Sequence, residues 1–349
     1  MYNINGSHYI WLTRPHAGQY ILKSDTGPFG PYESRQVVGE IESPVHGAGC
    51  PHQGALIQTP NNQWFHMAFM DGFPAGRIPV LAPVTWTSHG WPEVHFDTSK
   101  IPGSWYRSFP MSGMSSDVVK PKTCFRTHSF LDKQLEPCWE WNHNPNNMKW
   151  DVTENGLILE AATVTDTLHL ATNTLTHRSI GPRSSATFCL NTSGLVEGDR
   201  AGVCIFRDKS AYIGIHQMSE GARIVYVDDI SIKAFNIPVG FSNGHPVALD
   251  WVVERRGSIK AETDLASSQV WLKVMVDVRP AFSHGFEGEP RLASFAYSYD
   301  GKNFTVLGPH FLLSNTADTF VGYRFAVFEF ATKSLGGRLE VESCVIASW

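Results

Sequence analysis

The 349-residue sequence is poor in charge: Asp, Glu, Lys and Arg make up 17% of it and sum to a net −5. A mildly acidic chain presents no basic field to hold a phosphate backbone, so no nucleic acid partner is expected. No apolar run is long enough to cross a bilayer, and no membrane partner is expected either. The first residues, Met1-Tyr2-Asn3-Ile4-Asn5-Gly6-Ser7, lack both the basic opening and the apolar stretch of a secretory leader. Cysteine is sparse, with six residues and no C-x-x-C spacing, which argues against a structural zinc site or a disulfide-dense scaffold and leaves one or two disulfides open. A sustained helical period is also missing. What the chain does have is aromatic residues, eleven Trp, ten Tyr and twenty-one Phe. These favour strands, and their flat apolar faces stack on sugar rings as well as filling cores, the commoner use. Three glycosylation triplets, at Asn5, Asn191 and Asn303, are of a kind that chance often produces.

The pattern throughout is of short strands divided by turn residues. Strands are expected over 7–13, 19–23, 55–58, 64–70, 78–86 and 93–96, with turns at 27–33 and 60–62. Four-stranded propeller blades take roughly 50 residues each, so this stretch supplies about two. The Ser/Pro/Gly-rich passage 99–121 has no clear period and reads as a surface linker. Alternation then resumes over 122–349, with candidate strands at 156–161, 186–190, 201–206, 211–216, 223–227, 247–254, 270–278, 293–299 and 323–329. Many strands with tight turns suggest a two-sheet sandwich. Asp300-Gly301 within it is a hairpin signal.

The run Asp71-Gly72-Phe73-Pro74-Ala75-Gly76-Arg77-Ile78-Pro79, with Gly90-Trp91-Pro92 after it, resembles glycoside hydrolase family 43. There the same stretch lies in the last blades of a five-bladed β-propeller, and its arginine projects into a sugar pocket. Trp139-Glu140-Trp141-Asn142-His143-Asn144-Pro145, Asn173-Thr174-Leu175-Thr176-His177-Arg178, Gly181-Pro182 and Gly198-Asp199-Arg200-Ala201-Gly202 resemble the concanavalin-like β-sandwich attached to β-xylosidases of that family. The fold these imply is all-β: a partial five-bladed propeller, about its last two blades, over 1–98, a linker over 99–121, and a concanavalin-like sandwich over 122–349.

From spacing alone Arg77 reads equally as a surface arginine opening a strand or as a fixed guanidinium whose planar fork binds hydroxyls. The intact Gly-Arg-Ile-Pro of the resemblance selects the substrate-binding reading. His52, in Gly49-Cys50-Pro51-His52-Gln53-Gly54-Ala55, resembles the family's axial histidine and is the second substrate-binding candidate. The resemblance would also place a calcium ion there, although calcium prefers oxygen ligands; no other cofactor is implied. Asp71 closes one strand and opens the loop to Arg77, where it would brace the pocket or cap a turn.

Inverting glycoside hydrolysis needs a carboxylic acid and a carboxylate about 6.5–9.5 Å apart. The resemblance places these groups, and a third tuning aspartate, in blades that would precede Met1. No residue is therefore assigned a catalytic role, and Asp25, Glu33, Glu40, Glu42, Glu93 and Asp97 read as solvated turn carboxylates. Trp139 and Trp141 alternate along one strand, so one should face the core and the other outward, toward the other domain or a sugar. The implied activity is inverting removal of xylose or arabinofuranose from plant cell-wall polysaccharide or its oligosaccharides, by proteins that are secreted. Two rivals remain open for this chain: a noncatalytic xylan-binding module, and a truncated product without function.

Overall fold

The computed structural model describes residues 1–14, 18–99, 103–111, 124–130, 134–237, 248–279 and 291–349. The chain divides into two compact units, the first built on Met1–Lys120 and the second on Pro121–Arg279 together with Gly288–Trp349. Among the described residues, apart from one 3-10 turn at Leu168–Leu170, every regular element is a β-strand, and the strand pairs are antiparallel.

The first unit holds two four-stranded meanders. One runs β1 (Tyr2–Ile4), β2 (Ser7–Arg14), β3 (Gly18–Ser24), β4 (Glu33–Val38), and the other β5 (His52–Gln58), β6 (Trp64–Asp71), β7 (Arg77–Trp86), β8 (Pro92–Val94). A four-stranded antiparallel meander is the repeating sheet of a propeller. Tyr9, Ile21, Leu56, Val84 and Trp91 form one apolar cluster and Val38, Ala68, Met70, Val80, Ala82 and Trp105 another. Each draws on both sheets, so the sheets share a core. Alternation along β6 sets this up, because His66, Ala68 and Met70 all turn to the buried side.

Four expectations need correction here. Strands β1 and β4 were missed, since β4 carries the exposed polar run Glu33-Ser34-Arg35-Gln36 and nothing apolar signals it. Strand β5 starts at His52, three residues earlier than expected, through a bulge between His52 and Ala55. Trp105, assigned to a surface linker, is only 1% exposed, and Ser104 pairs with Asp97, so 103–111 packs into this unit. The rest of the expected linker, 100–102 and 112–121, lies outside the described residues.

The second unit contains β9 (Cys124–His128), β10 (Trp139–Trp141), β11 (Trp150–Thr153), β12 (Gly156–Glu160), β13 (Leu175–Arg178), β14 (Arg183–Asn191), β15 (Asp199–Phe206) and β16 (Lys209–Met218). After these come β17 (Gly221–Ile237), β18 (Ala248–Asp264), β19 (Gln269–Asp277), β20 (Leu292–Ser298), β21 (Thr305–Val306), β22 (Phe311–Leu312), β23 (Arg324–Ala331) and β24 (Arg338–Ser348). Seven form one sheet in the order β10-β13-β23-β15-β16-β17-β18. The other nine form a sheet along β11-β12-β24-β14-β19-β20-β21, with β22 on β20 and β9 on β24.

Strand β15 is buried along both faces, because one faces the nine-stranded sheet and the other, bearing Cys204 and Phe206, packs with Tyr212, Val225, Phe328 and Leu168. This explains why, after Asp199-Arg200, its sequence runs apolar without alternation from Ala201 to Phe206. The Asp300-Gly301 hairpin exists but with a longer loop than a two-residue turn: β20 ends at Ser298 and β21 begins at Thr305. Asp300 Oδ1 accepts the N–H groups of Lys302 and Asn303 at 2.8 and 2.7 Å, and these bonds hold its carboxyl far below the usual carboxylate range.

Candidate functional site

The β6–β7 hairpin builds the site in the first unit. Asp71 and Arg77 are direct partners at its mouth, separated by the loop Gly72-Phe73-Pro74-Ala75-Gly76. That loop closes through Gly72 N–H to the Gly76 carbonyl at 2.8 Å and Ala75 N–H to the Gly72 carbonyl at 2.9 Å. Gly76 sits at φ +96°, a left-handed conformation that needs glycine. The sequence motif therefore does mechanical work: it folds the chain back so that Arg77 stands opposite the aspartate that ended the previous strand.

Arg77 Nε lies 3.3 Å from Asp71 Oδ1, and His52 Nε2 lies 3.9 Å from Asp71 Oδ2. His52 arrives from the neighbouring strand, where it pairs with Phe69 and is followed by the bulge, with Gln53 at φ +50°. Its Nδ1 is 3.0 Å from the Cys50 carbonyl, which can only accept, so that nitrogen carries the proton and Nε2 is free to face Asp71. The Arg77 guanidinium lies over the Phe69 ring at 4.3 Å, and the His52 ring meets the same phenyl edge-on at 4.7 Å. Phe69 is thus a floor under both polar groups. Arg77, His52 and Asp71 side chains retain 31%, 33% and 16% of their accessibility, so the group is fixed yet reachable by a ligand.

Both sequence candidates, Arg77 and His52, are brought together around Asp71, which pairs with Arg77 and lies 3.9 Å from His52. Phe69 was missed; its signal was available, because residues two apart on a strand share a face and Phe69 precedes Asp71 by two. Gly54 also matters, since a Cβ there would lie 2.1 Å from His66 Cε1 and 2.4 Å from the Met67 carbonyl oxygen. As for calcium, the described residues around His52 offer a nitrogen and one carboxylate already engaged by Arg77, not the six to eight oxygens that ion takes.

The other carboxylates scatter. Asp25 accepts from Ser7 Oγ and Lys23 Nζ, both at 2.6 Å, which draws its carboxyl below the ordinary value. Glu33, Glu40 and Glu93 are exposed. Glu42 and Asp97 are the pair that the fold does converge: with His46 and Arg107 they line a hollow of about 380 Å³, held by the backbone bonds of Ser104 to Asp97 and Trp105 to Glu42.

In the second unit, Trp139 is 7% exposed and faces the core, whereas Trp141 points outward and meets Trp150 at 5.1 Å. Trp141 and Trp251 line a hollow of about 460 Å³ with His143, Arg207, Asp208 and Arg324. Arg207 is fully buried, 3.2 Å from Asp208, and donates to the carbonyls of Ser314 and Val321 at 2.8 and 3.0 Å. It holds the loop that walls the hollow.

Residues 127–340 match the beta xylosidase C-terminal concanavalin A-like domain of glycoside hydrolase family 43. The chain is 25% identical over 98% of its length to a beta-xylosidase of Formosa agariphila and 26% identical over 89% to a putative beta-xylosidase of Xylanibacter ruminicola. It spans 58% and 51% of those two relatives. Among solved structures it is similar to a GH43 glycoside hydrolase engineered at its active site to display both endo-xylanase and exo-arabinofuranosidase activity. That likeness has a TM-score of 0.86 and 39% identity, and covers 99% of this chain and 64% of the other.

Proposed function

The chain belongs to glycoside hydrolase family 43, and we propose on that footing that its first unit forms the substrate-holding wall of a pocket for xylosyl or arabinofuranosyl ends of plant cell-wall polysaccharide or oligosaccharide. The observation that carries this is the Phe69-supported group of Arg77, Asp71 and His52. A neutral sugar offers hydroxyls and no charge, so it is bound by fixed donors and acceptors rather than by an ion pair. Arg77 sets its Nε on Asp71, and its guanidinium is a planar fork whose geometry matches paired oxygens. Asp71 holds that fork in one orientation, which lowers the ordering cost of binding. His52, protonated at Nδ1, presents the Nε2 lone pair as an acceptor.

Hydrolysis by inversion additionally needs an acid and a base placed for a water between them. On our reading the described carboxylates of this unit do not supply that pair. Asp71 is committed to Arg77 and Asp25 to Lys23, while Glu42 and Asp97 line a different hollow. By itself this chain should hold sugar without cleaving it.

The test is nitrophenol release from aryl β-xyloside and aryl α-arabinofuranoside by the purified chain, alongside its Arg77→Ala variant, with binding of xylo-oligosaccharide measured in parallel. Binding that weakens in Arg77→Ala, without release, supports the proposal. Arg77-dependent release would overturn the second half and show that carboxylates of this chain do the chemistry. Binding unchanged in a folded Arg77→Ala chain would overturn the first.

A second reading rests on the Trp141–Trp251 hollow of the sandwich, whose two aromatic faces beside buried Arg207 suit a carbohydrate chain. Retention on xylan that is lost in Trp141→Ala and kept in Arg77→Ala would favour it.

A further inference from the structure

We propose that His128, Cys138 and His177 form a binding site for one zinc-class divalent cation that ties the two sheets of the sandwich together. His128 ends β9, in the nine-stranded sheet, opposite Cys344 of β24. His177 lies on β13, in the seven-stranded sheet, opposite Trp139 of β10, and Cys138 immediately precedes β10. One donor atom from each of the three residues lies within 4.8 Å of the other two. A tetrahedral ion with bonds of about 2.0–2.3 Å keeps its ligands roughly 3.5 Å apart, a closure that side-chain rotation of this size supplies.

The hydrogen bonds around the three residues aim them. His128 Nδ1 is 2.8 Å from Glu136 Oε1, which fixes its proton on that nitrogen and leaves the lone pair on Nε2. His128 is 1% exposed, and its Nε2 has no hydrogen-bond partner among the described residues. His177 Nδ1 is 2.8 Å from the Arg178 carbonyl, which only accepts, so the His177 lone pair lies on Nε2. Two acceptors therefore converge with one thiol, whose single proton cannot serve both. A buried acceptor left without a partner is destabilising, and a cation relieves it directly. Binding forms two nitrogen–metal bonds and one sulfur–metal bond, and the Cys138 proton leaves to solvent.

The outer shell has the form that metal sites use. Glu136 orients His128 as the carboxylate of a carboxylate–histidine–metal relay, and is itself held by Arg126. Trp139 packs edge-on against both imidazoles, at 5.3 Å from His128 and 5.1 Å from His177, with Phe130 and Phe188 behind it. Half-buried Cys138 leaves one side for a solvent ligand. Two imidazoles and a thiolate suit zinc or cobalt and disfavour calcium or magnesium. No C-x-x-C spacing advertises the site, because its ligands come from three separate stretches and meet only through sheet pairing.

The experiment uses the full chain, stripped of metal by chelation and titrated with Co2+, then Zn2+. One equivalent of cobalt should produce tetrahedral d–d bands and a thiolate-to-cobalt charge-transfer band, both bleached by one equivalent of zinc. Cys138→Ser should lose the charge-transfer band while keeping the β-sheet circular dichroism of the metal-free chain. Glu136→Gln should weaken zinc affinity on the order of 10–100-fold. The site is overturned if the folded chain gives no cobalt spectrum, if the charge-transfer band survives in Cys138→Ser, or if Cys138 is found in a disulfide in the purified chain.

Discussion

Asp71 and Arg77 face each other across the mouth of one hairpin, Oδ1 to Nε at 3.3 Å, while the second oxygen of the same carboxylate looks toward His52. The aspartate thus holds the guanidinium, while the imidazole from the neighbouring strand is held by its own bond to the Cys50 carbonyl. The neutral isostere of the aspartate separates the two roles it could have. Asp71→Asn keeps the shape and removes the charge that holds the guanidinium. A partly exposed ion pair contributes little to folding, so the stability loss should stay below about 1 kcal/mol. Sugar affinity should fall roughly tenfold, because the fork loses its fixed orientation. Calorimetric titration with xylo-oligosaccharide, next to urea unfolding, checks both; equal affinity in the two chains would mean that Asp71 only caps the turn.

Gly54→Ala should be a folding variant. The added methyl would press on the His66 ring and, less forgivingly, on the Met67 carbonyl at 2.4 Å. Overpacking of this kind costs about 1–3 kcal/mol, which a shift in the urea midpoint of the first unit would register. A midpoint unchanged from the parent would show that the bulge can open to admit a side chain.

Acid should loosen the first unit through His66. Its ring is buried between Trp11 and Trp105, at 4.9 and 5.5 Å, and burial lowers its pKa from 6.5 to about 4. Because the unfolded chain takes up this proton first, the stability tied to neutral His66 is present above 6.5 and lost as pH falls through about 4. His66→Phe keeps a ring between the two tryptophans but cannot be protonated. Its stability should therefore change less than the parent's between pH 7 and about 4.5, as followed by tryptophan near-ultraviolet dichroism; parallel losses would refute the assignment.

Glu329 works in the opposite sense in the second unit. It is 1% exposed, and its carboxyl is raised from 4.5 to about 9, first by burial and then by the Asp199 carboxylate. The neutral form accepts the Leu339 N–H at 2.9 Å. A raised acid is fully stabilising below its unfolded value, and that contribution drains away as pH climbs toward the folded one. Glu329→Gln keeps the acceptor and removes the ionisation. The variant should be more stable than the parent near pH 8, with the gap closing near pH 5; urea midpoints that run in parallel across that range would count against it.

Much of the molecule was legible because strand chemistry is local. Alternation in Trp64-Phe65-His66-Met67-Ala68-Phe69-Met70 marked β6, and Gly76 before Arg77 marked the turn that returns the chain. Pairing Trp139 with Trp141 on one strand was enough to say that one faces the core. The sequence alone therefore determined an all-β chain and the hairpin that carries Arg77, while Arg77 and His52 were singled out as site candidates by the family resemblance rather than by spacing. Periodicity and turn stereochemistry act within a few residues, so they leave a readable trace.

Only tertiary structure decided which residues meet. Phe69 became the floor under Arg77 and His52 through the register of β5 on β6. Trp105 left the expected linker for the core, and His128, Cys138 and His177 converged from two different sheets. Contacts of this kind depend on cross-strand register and on sheet stacking, which are settled by the packing of the whole core and have no counterpart in local spacing.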